Sequence, residues 1–297
     1  MNHNRWWTRL APLALLVAAL VVIGVACGDS DEGSTPTPTA AATATATTTA
    51  TATPTPAPLT GKVTVFAASS LTDSFKAIGE AFTKAHPGVT VEFNFAASSA
   101  LATQIEQAGP ADVFASADQA QMQRLVDKSL IEGAPSVFAR NLPVIVVPAD
   151  NRAGIAAPKD LAKAGVKLVL AAPDVPIGNY ARQIIDKLAA DPAYGAAFKD
   201  GALGNLVSNE ANVRAVLAKI ELGEGDAGIV YKTDALVSGD KVKTVPLPGG
   251  VNVVATYPVA VVRASDNKTL AGAFVAFLRG AEGQAMLEDA GFDPAVQ

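Results

Sequence analysis

From Gly61 onward the chain repeats one pattern: a short run of consecutive apolar residues, a stop at small or polar residues, then apolar positions at helical spacing. Such runs predict strands buried on both faces, and the i, i+3, i+4, i+7 spacing predicts amphipathic helices between them. Val63-Thr64-Val65-Phe66-Ala67-Ala68 is the first strand. It stops at Ser69-Ser70, and Leu71, Phe75, Ile78 and Phe82 carry the first helix, with Asp73 in the favourable first turn. Ser70 is a natural N-cap for that helix, and His86-Pro87-Gly88 ends it. Val89 to Phe95 repeats the strand and Ala96-Ala97-Ser98-Ser99 repeats the stop, before a helix bearing Leu101 and Ile105. Asp112 to Ala115 is a short third strand that leads through Ser116-Ala117-Asp118 to a helix with Met122, Leu125 and Val126.

The pattern begins afresh at Leu142 to Pro148, a near-continuous apolar strand, and Val166 to Ala171 is the next buried one. The turn Pro173-Asp174-Val175-Pro176-Ile177-Gly178-Asn179 follows, then a helix with Tyr180, Ile184, Ile185 and Leu188. Pro176 and Gly178 suit a close approach of backbone to something small. Ser208 to Asn212 precedes a helix with Val213, Val216, Leu217 and Ile220, for which Asn212 is an N-cap candidate. Ala227 to Tyr231 and Tyr257 to Val262 are further buried strands. Leu270, Phe274, Phe277 and Leu278 mark a closing helix, with a shorter one within Gly280 to Ala290.

These junctions carry the candidate chemistry. A helix start offers unpaired N–H groups and the positive end of the helix dipole, a combination that favours anions. Either serine alone reads as an ordinary cap. Two serines following successive strands say more, because parallel strands bring their C-terminal ends to one edge of a sheet.

Charge and composition narrow the partners. The 297 residues hold 23 basic and 28 acidic side chains. With Arg5 and Arg9 set aside, 21 basic residues face 28 acidic ones, a net charge of −7. No basic run stands out, which argues against nucleic acid as a partner, so an anionic ligand must be held mostly by neutral donors. Cys27 is the single cysteine, and His3 and His86 are the only histidines. An intramolecular disulfide and a Cys/His zinc site are therefore impossible. A Ser-His-Asp triad would need His86, which sits in a turn, and no G-x-S-x-G elbow accompanies it. Asp112 and Asp118 read as capping and turn residues rather than as a catalytic pair.

Arg5 and Arg9 precede the apolar stretch Leu10 to Ala26, a basic n-region and apolar h-region that predict a secretion signal over residues 1–27. Gly24 and Ala26 before Cys27 resemble a bacterial lipobox, which implies cleavage before Cys27 and its acylation, although Gly24 stands where that pattern prefers an aliphatic residue. The alternative is an uncleaved membrane anchor. Either places the rest of the chain outside the cytoplasm and tied to a membrane. Residues 28–60 are rich in Thr, Ala and Pro, a composition that predicts an extended tether.

Taken in order, several segments resemble the molybdate-binding proteins of bacterial ABC transporters. They are Val65 to Thr72, Phe95 to Ser99, Pro110 to Asp118, Val175 to Ala181, Asn212-Val213-Arg214, Gly228 to Tyr231 and Tyr257 to Val262. The resemblance covers nearly all of Lys62 to Phe292. It implies an α/β, two-lobed periplasmic-binding-protein fold of type II-like topology with a ligand cleft. One lobe would be formed by about 61–141 and 253–297, the other by about 142–252. It also implies a tetrahedral oxyanion held by the hydroxyls of Ser70 and Ser98, the amides of Ile177 and Val213, and the Tyr231 hydroxyl, with Ser69 serving the turn. Ile177 replaces the alanine common in the family, and Asn179 is also outside the commonest pattern. The resemblance implies molybdate or tungstate as ligand, molybdenum bound only as that oxyanion, no cofactor, no catalysis, an ABC permease as partner and a monomeric state. Sulfate or thiosulfate is the rival ligand, and an ester hydrolase the rival class.

Overall fold

The computed structural model describes residues 58–295; the leader, Cys27 and most of the Thr/Ala/Pro tract lie outside them. The described chain forms two lobes, each built on a five-stranded mixed sheet covered by helices.

In the first lobe the strand Thr60–Ala68 (β1) lies between Gly88–Ala96 (β2) and Val113–Ala115 (β3), parallel to both. Ala255–Val262 (β10) joins antiparallel to β3, and Ile131–Asn141 (β4) closes the far edge, giving the order β2-β1-β3-β10-β4. The helices are Thr72–Ala85 (α1), Ser98–Glu106 (α2), Gln119–Asp127 (α3), Lys268–Arg279 (α8) and Ala281–Asp289 (α9). The second lobe repeats the plan. Leu168–Ala171 (β6) runs parallel to Leu206–Glu210 (β7) and Ala227–Tyr231 (β8), and Pro143–Pro148 (β5) pairs antiparallel with β8 and with Val242–Val245 (β9). Its helices are Pro176–Ala190 (α4), Ala197–Gly204 (α5), Val213–Glu221 (α6) and Lys232–Ser238 (α7). The chain leaves the first sheet for the second through Leu142 alone, between β4 and β5, and returns between β9 and β10.

The pleat explains why β1 is almost wholly apolar from Val63 onward. Successive side chains point to opposite faces, so Val63, Val65 and Ala67 enter the layer under α1 and α8, whereas Phe66 packs with Leu101, Phe114 and Leu125 under α2 and α3. Phe75, Phe82, Phe138 and Phe274 are buried and meet mostly edge to face. Each contributes about 1.5–3 kcal/mol by burial alone.

The edge strands β4, β7 and β9 and the short helices α5 and α7 were not evident in the periodicity. Ser208–Glu210, before the α6 start, belongs to β7. Strand β4 is exposed or half-buried from Glu132 to Val137 and β7 has no buried residue, so neither carries a continuous apolar run. Gly178 owes its place to a close approach, but of α4 to β6 rather than of backbone to a ligand. A Cβ there would collide with the carbonyl oxygens of Ala171 and Ala172. Among the described residues no helix is long and apolar enough to cross a membrane.

Candidate functional site

Four helix starts converge where the C-terminal ends of the parallel strands of both sheets meet. They surround a small cavity, of about 10 Å³, lined by Ser69, Ser70 and Ser98 from the first lobe and by Ile177, Val213 and Tyr231 from the second. The five residues named from the sequence are thus brought together, and none is more than 3% exposed. A larger groove of about 400 Å³ beside Asp150, Arg152, Glu221 and Lys241 carries both signs of charge. It lacks the convergence of N-termini that marks the smaller cavity.

Each donor has a local cause. In α4, Pro176 occupies the first helical position, where its missing N–H costs nothing, and the Ile177 amide comes next. In α6 the Asn212 side chain accepts from the Ala215 N–H at 3.1 Å, as read from the sequence, leaving the Val213 amide at the helix mouth. The serines depart from the expected caps. Ser70 lies inside a short 3-10 turn, Ser69–Leu71, and its hydroxyl meets the Tyr257 hydroxyl at 3.0 Å instead of a helix amide. Ser98 is the first residue of α2, and its Oγ accepts from the Ala117 N–H at 2.9 Å. Because a backbone N–H already occupies one Oγ lone pair, the Ser98 proton is free to be donated into the cavity. Asp118 caps α3 by accepting from the Gln121 N–H at 2.9 Å, and Asp112 accepts from the Thr64 N–H at 2.7 Å. Both carboxylates therefore serve the scaffold.

Tyr231 is the most informative member. Its hydroxyl is buried and has no hydrogen-bond partner among the described residues. Burial, reinforced by the neighbouring Tyr257 and Tyr180, raises its pKa well above the phenol value, so it stays a neutral donor. A buried hydroxyl without a partner costs roughly 1–3 kcal/mol, a cost that a ligand acceptor would remove.

A cation stands beside the cavity without lining it. Arg214, the second residue of α6, places Nη2 2.7 Å from Asp73 of α1 and Nε 2.7 Å from the fully buried Asp234 of α7. It therefore joins the two lobes. The other Asp234 oxygen accepts from the Tyr231 N–H at 3.2 Å. Burial pushes the Asp234 carboxyl up to about 6, against the opposing pull of Arg214. Sequence reasoning missed this bridge and Tyr257. A tyrosine within the apolar run that became β10 was the only signal for the latter.

An α/β chain of two lobes that meet over a small, donor-lined cavity has the architecture of a solute-binding protein. The chain belongs to the bacterial extracellular solute-binding protein family, whose profile matches residues 63–293. It is 39% identical over 278 residues to the molybdate-binding protein ModA of Mycobacterium bovis, a match spanning 93% of this chain and 95% of that protein. The resemblance read from the ordered segments is thereby borne out. Among solved structures, the sulfate-binding protein SubI from Mycobacterium tuberculosis superposes with a TM-score of 0.69 at 22% identity, over 79% of this chain and 87% of that one. The periplasmic molybdate-binding protein of Azotobacter vinelandii gives 0.67 at 19% identity, over 77% and 98%. At those identities the two structures show the fold alone.

Proposed function

We propose that this chain is an extracytoplasmic receptor that captures molybdate, and tungstate with it, for the permease of an ABC transporter. The observation that carries the reading is the convergence of donors from both lobes on one buried cavity: two serine hydroxyls, two helix-start amides and the unpartnered Tyr231 hydroxyl. Charge-assisted hydrogen bonds of about 1.5–3 kcal/mol each, from five such donors, sum to about 7.5–15 kcal/mol, a range that starts near the roughly 8 kcal/mol of a micromolar affinity and extends well past it. The surplus is offset by desolvating a dianion and ordering the lobes. Donors of this kind favour an oxyanion that only accepts; a protonated oxygen, as in hydrogen phosphate, would face another donor.

In this reading one lobe comprises about 61–141 with 253–297 and the other about 142–252, with the cleft between them. Acylation of Cys27 would hold the receptor at the membrane, and the tether of residues 28–60 would let it reach the permease. The receptor acts as a monomer and leaves its ligand chemically unchanged. In support of that last point, the Ser98 hydroxyl is engaged by a backbone N–H and Ser70 by a phenol, rather than either by a general base.

Calorimetric titration of the purified protein tests the ligand: molybdate and tungstate are expected to bind at least tenfold more tightly than sulfate, and hydrogen phosphate not at all. Sulfate binding as tight as molybdate would replace the molybdate reading with that of a sulfate receptor. Tyr231→Phe gives a second check, with two opposite signs. It should weaken molybdate binding by about 10- to 150-fold, because it removes a donor to an anion. The ligand-free protein should become more stable, since an unpartnered buried hydroxyl is removed. Thermal unfolding without and with molybdate reads both effects, and unchanged affinity would put the hydroxyl outside the ligand's reach.

A further inference from the structure

Resting on the oxyanion reading, we propose that Tyr257 is a positioning residue. It fixes the Ser70 hydroxyl as a donor into the cavity and so helps the site reject protonated oxyanions. Tyr257 is fully buried in β10, and its hydroxyl lies 3.0 Å from Ser70 Oγ, a contact between residues 187 positions apart. Three rings hold the phenol in place edge to face: Phe138 at 6.2 Å, Tyr231 at 5.8 Å and Phe292 at 5.6 Å. Its placement owes nothing to the ligand.

The direction of the hydrogen bond follows from what surrounds the phenol. The Asn141 carboxamide, also fully buried, borders the Tyr257 hydroxyl. Its Oδ1 accepts from the Leu142 N–H at 2.9 Å, and its Nδ2 donates to Thr233 Oγ1 at 2.8 Å. The second Nδ2 proton is the group left for the phenol oxygen. The phenol proton then goes to Ser70 Oγ, and the Ser70 proton turns toward the cavity. The reverse order would aim a serine lone pair at an anion. Thr233 of the second lobe is thus bonded to Asn141 where the strands cross, and Tyr257 to Ser70 in the first. Ser98 reaches the same state by another route, since the Ala117 N–H occupies its oxygen. Both serines are held by the protein as donors. Without the phenol, the Ser70 hydroxyl regains rotation and can either donate or accept.

A double-mutant cycle on the full chain tests this role, with calorimetric titration of molybdate and of inorganic phosphate. Tyr257→Phe should weaken molybdate binding about tenfold and narrow the ratio of molybdate to phosphate affinity by a similar factor. In a Ser70→Ala background the same change should have no further effect, because the hydroxyl it orients is gone. Retained thermal unfolding cooperativity checks that each variant folds, and Tyr257→Leu provides a second hydroxyl-free variant for the cycle. Equal losses with and without Ser70, or an unchanged ratio, would make Tyr257 a packing residue and overturn the proposal. A wild-type protein that binds none of the oxyanions would instead overturn the receptor reading, and this role with it.

Discussion

Replacing Ser70 and Ser98 together by alanine is expected to raise the molybdate dissociation constant by about 10²- to 10⁴-fold, the sum of two lost hydrogen bonds to an anion at about 1.5–3 kcal/mol each. The two single variants should differ in their effect on the fold. Ser98→Ala leaves the buried Ala117 N–H without its acceptor, which costs about 1–3 kcal/mol of stability. Ser70→Ala removes the acceptor of a rotatable phenol proton on Tyr257 rather than of a fixed backbone N–H and should cost less. Titration combined with urea unfolding of the ligand-free proteins separates the two effects. Variants that lose stability but bind molybdate as wild type would reduce both serines to scaffolding.

What could be read from the sequence and what could not divide along physical lines. Strands β1, β8 and most of β10 are buried on both faces, so their apolar runs announce them. Edge strands β4, β7 and β9 are partly exposed, and β4 carries Gly133 and Pro135 within it. Their pairing with a neighbour, not their own pattern, makes them strands. Sites follow the same division. Helix starts are local features, so those before Ile177 and Val213 were legible from spacing, the two amides themselves were named only through the resemblance, and the Asn212 cap was read correctly. The direction of a hydroxyl is not local. Ser70 resembles a cap until β10 is inserted antiparallel between β3 and β4, which brings Tyr257 to its oxygen. The same holds for Arg214. Its sequence neighbours give no hint that it would meet carboxylates from two lobes, one 141 residues before it and the other 20 after it.

Arg214→Met is expected to be the most destabilising of these substitutions at neutral pH, by about 3–5 kcal/mol, because it leaves the fully buried Asp234 carboxylate without its cation. The pH dependence gives the sign. Asp234 has a folded pKa of about 6 against an ordinary 3.8, so the fold disfavours its ionised form. This group therefore lowers stability above about pH 6, and that loss fades as the pH falls through the window toward 3.8. Removing Arg214 takes away a contribution that lowers the folded pKa, which shifts the upper end of the window to higher pH. The variant should consequently recover stability relative to wild type as the pH is lowered from about 8 to about 5. Adding Asp234→Asn should restore most of the loss at neutral pH, since no charge is then buried. Asp73→Asn separates the bridge from the burial. Asp73 is half exposed, and its pair with Arg214 is the inter-lobe half of the interaction, so stability should change by no more than about 1 kcal/mol. Molybdate should nonetheless dissociate faster, because the lobes lose a tie across the cleft. Denaturant unfolding across pH and stopped-flow release measure the two effects. If Arg214→Met were as stable as wild type at neutral pH, Asp234 would have to be neutral in the folded protein already, and the bridge to Asp73 would be the sole work of the arginine.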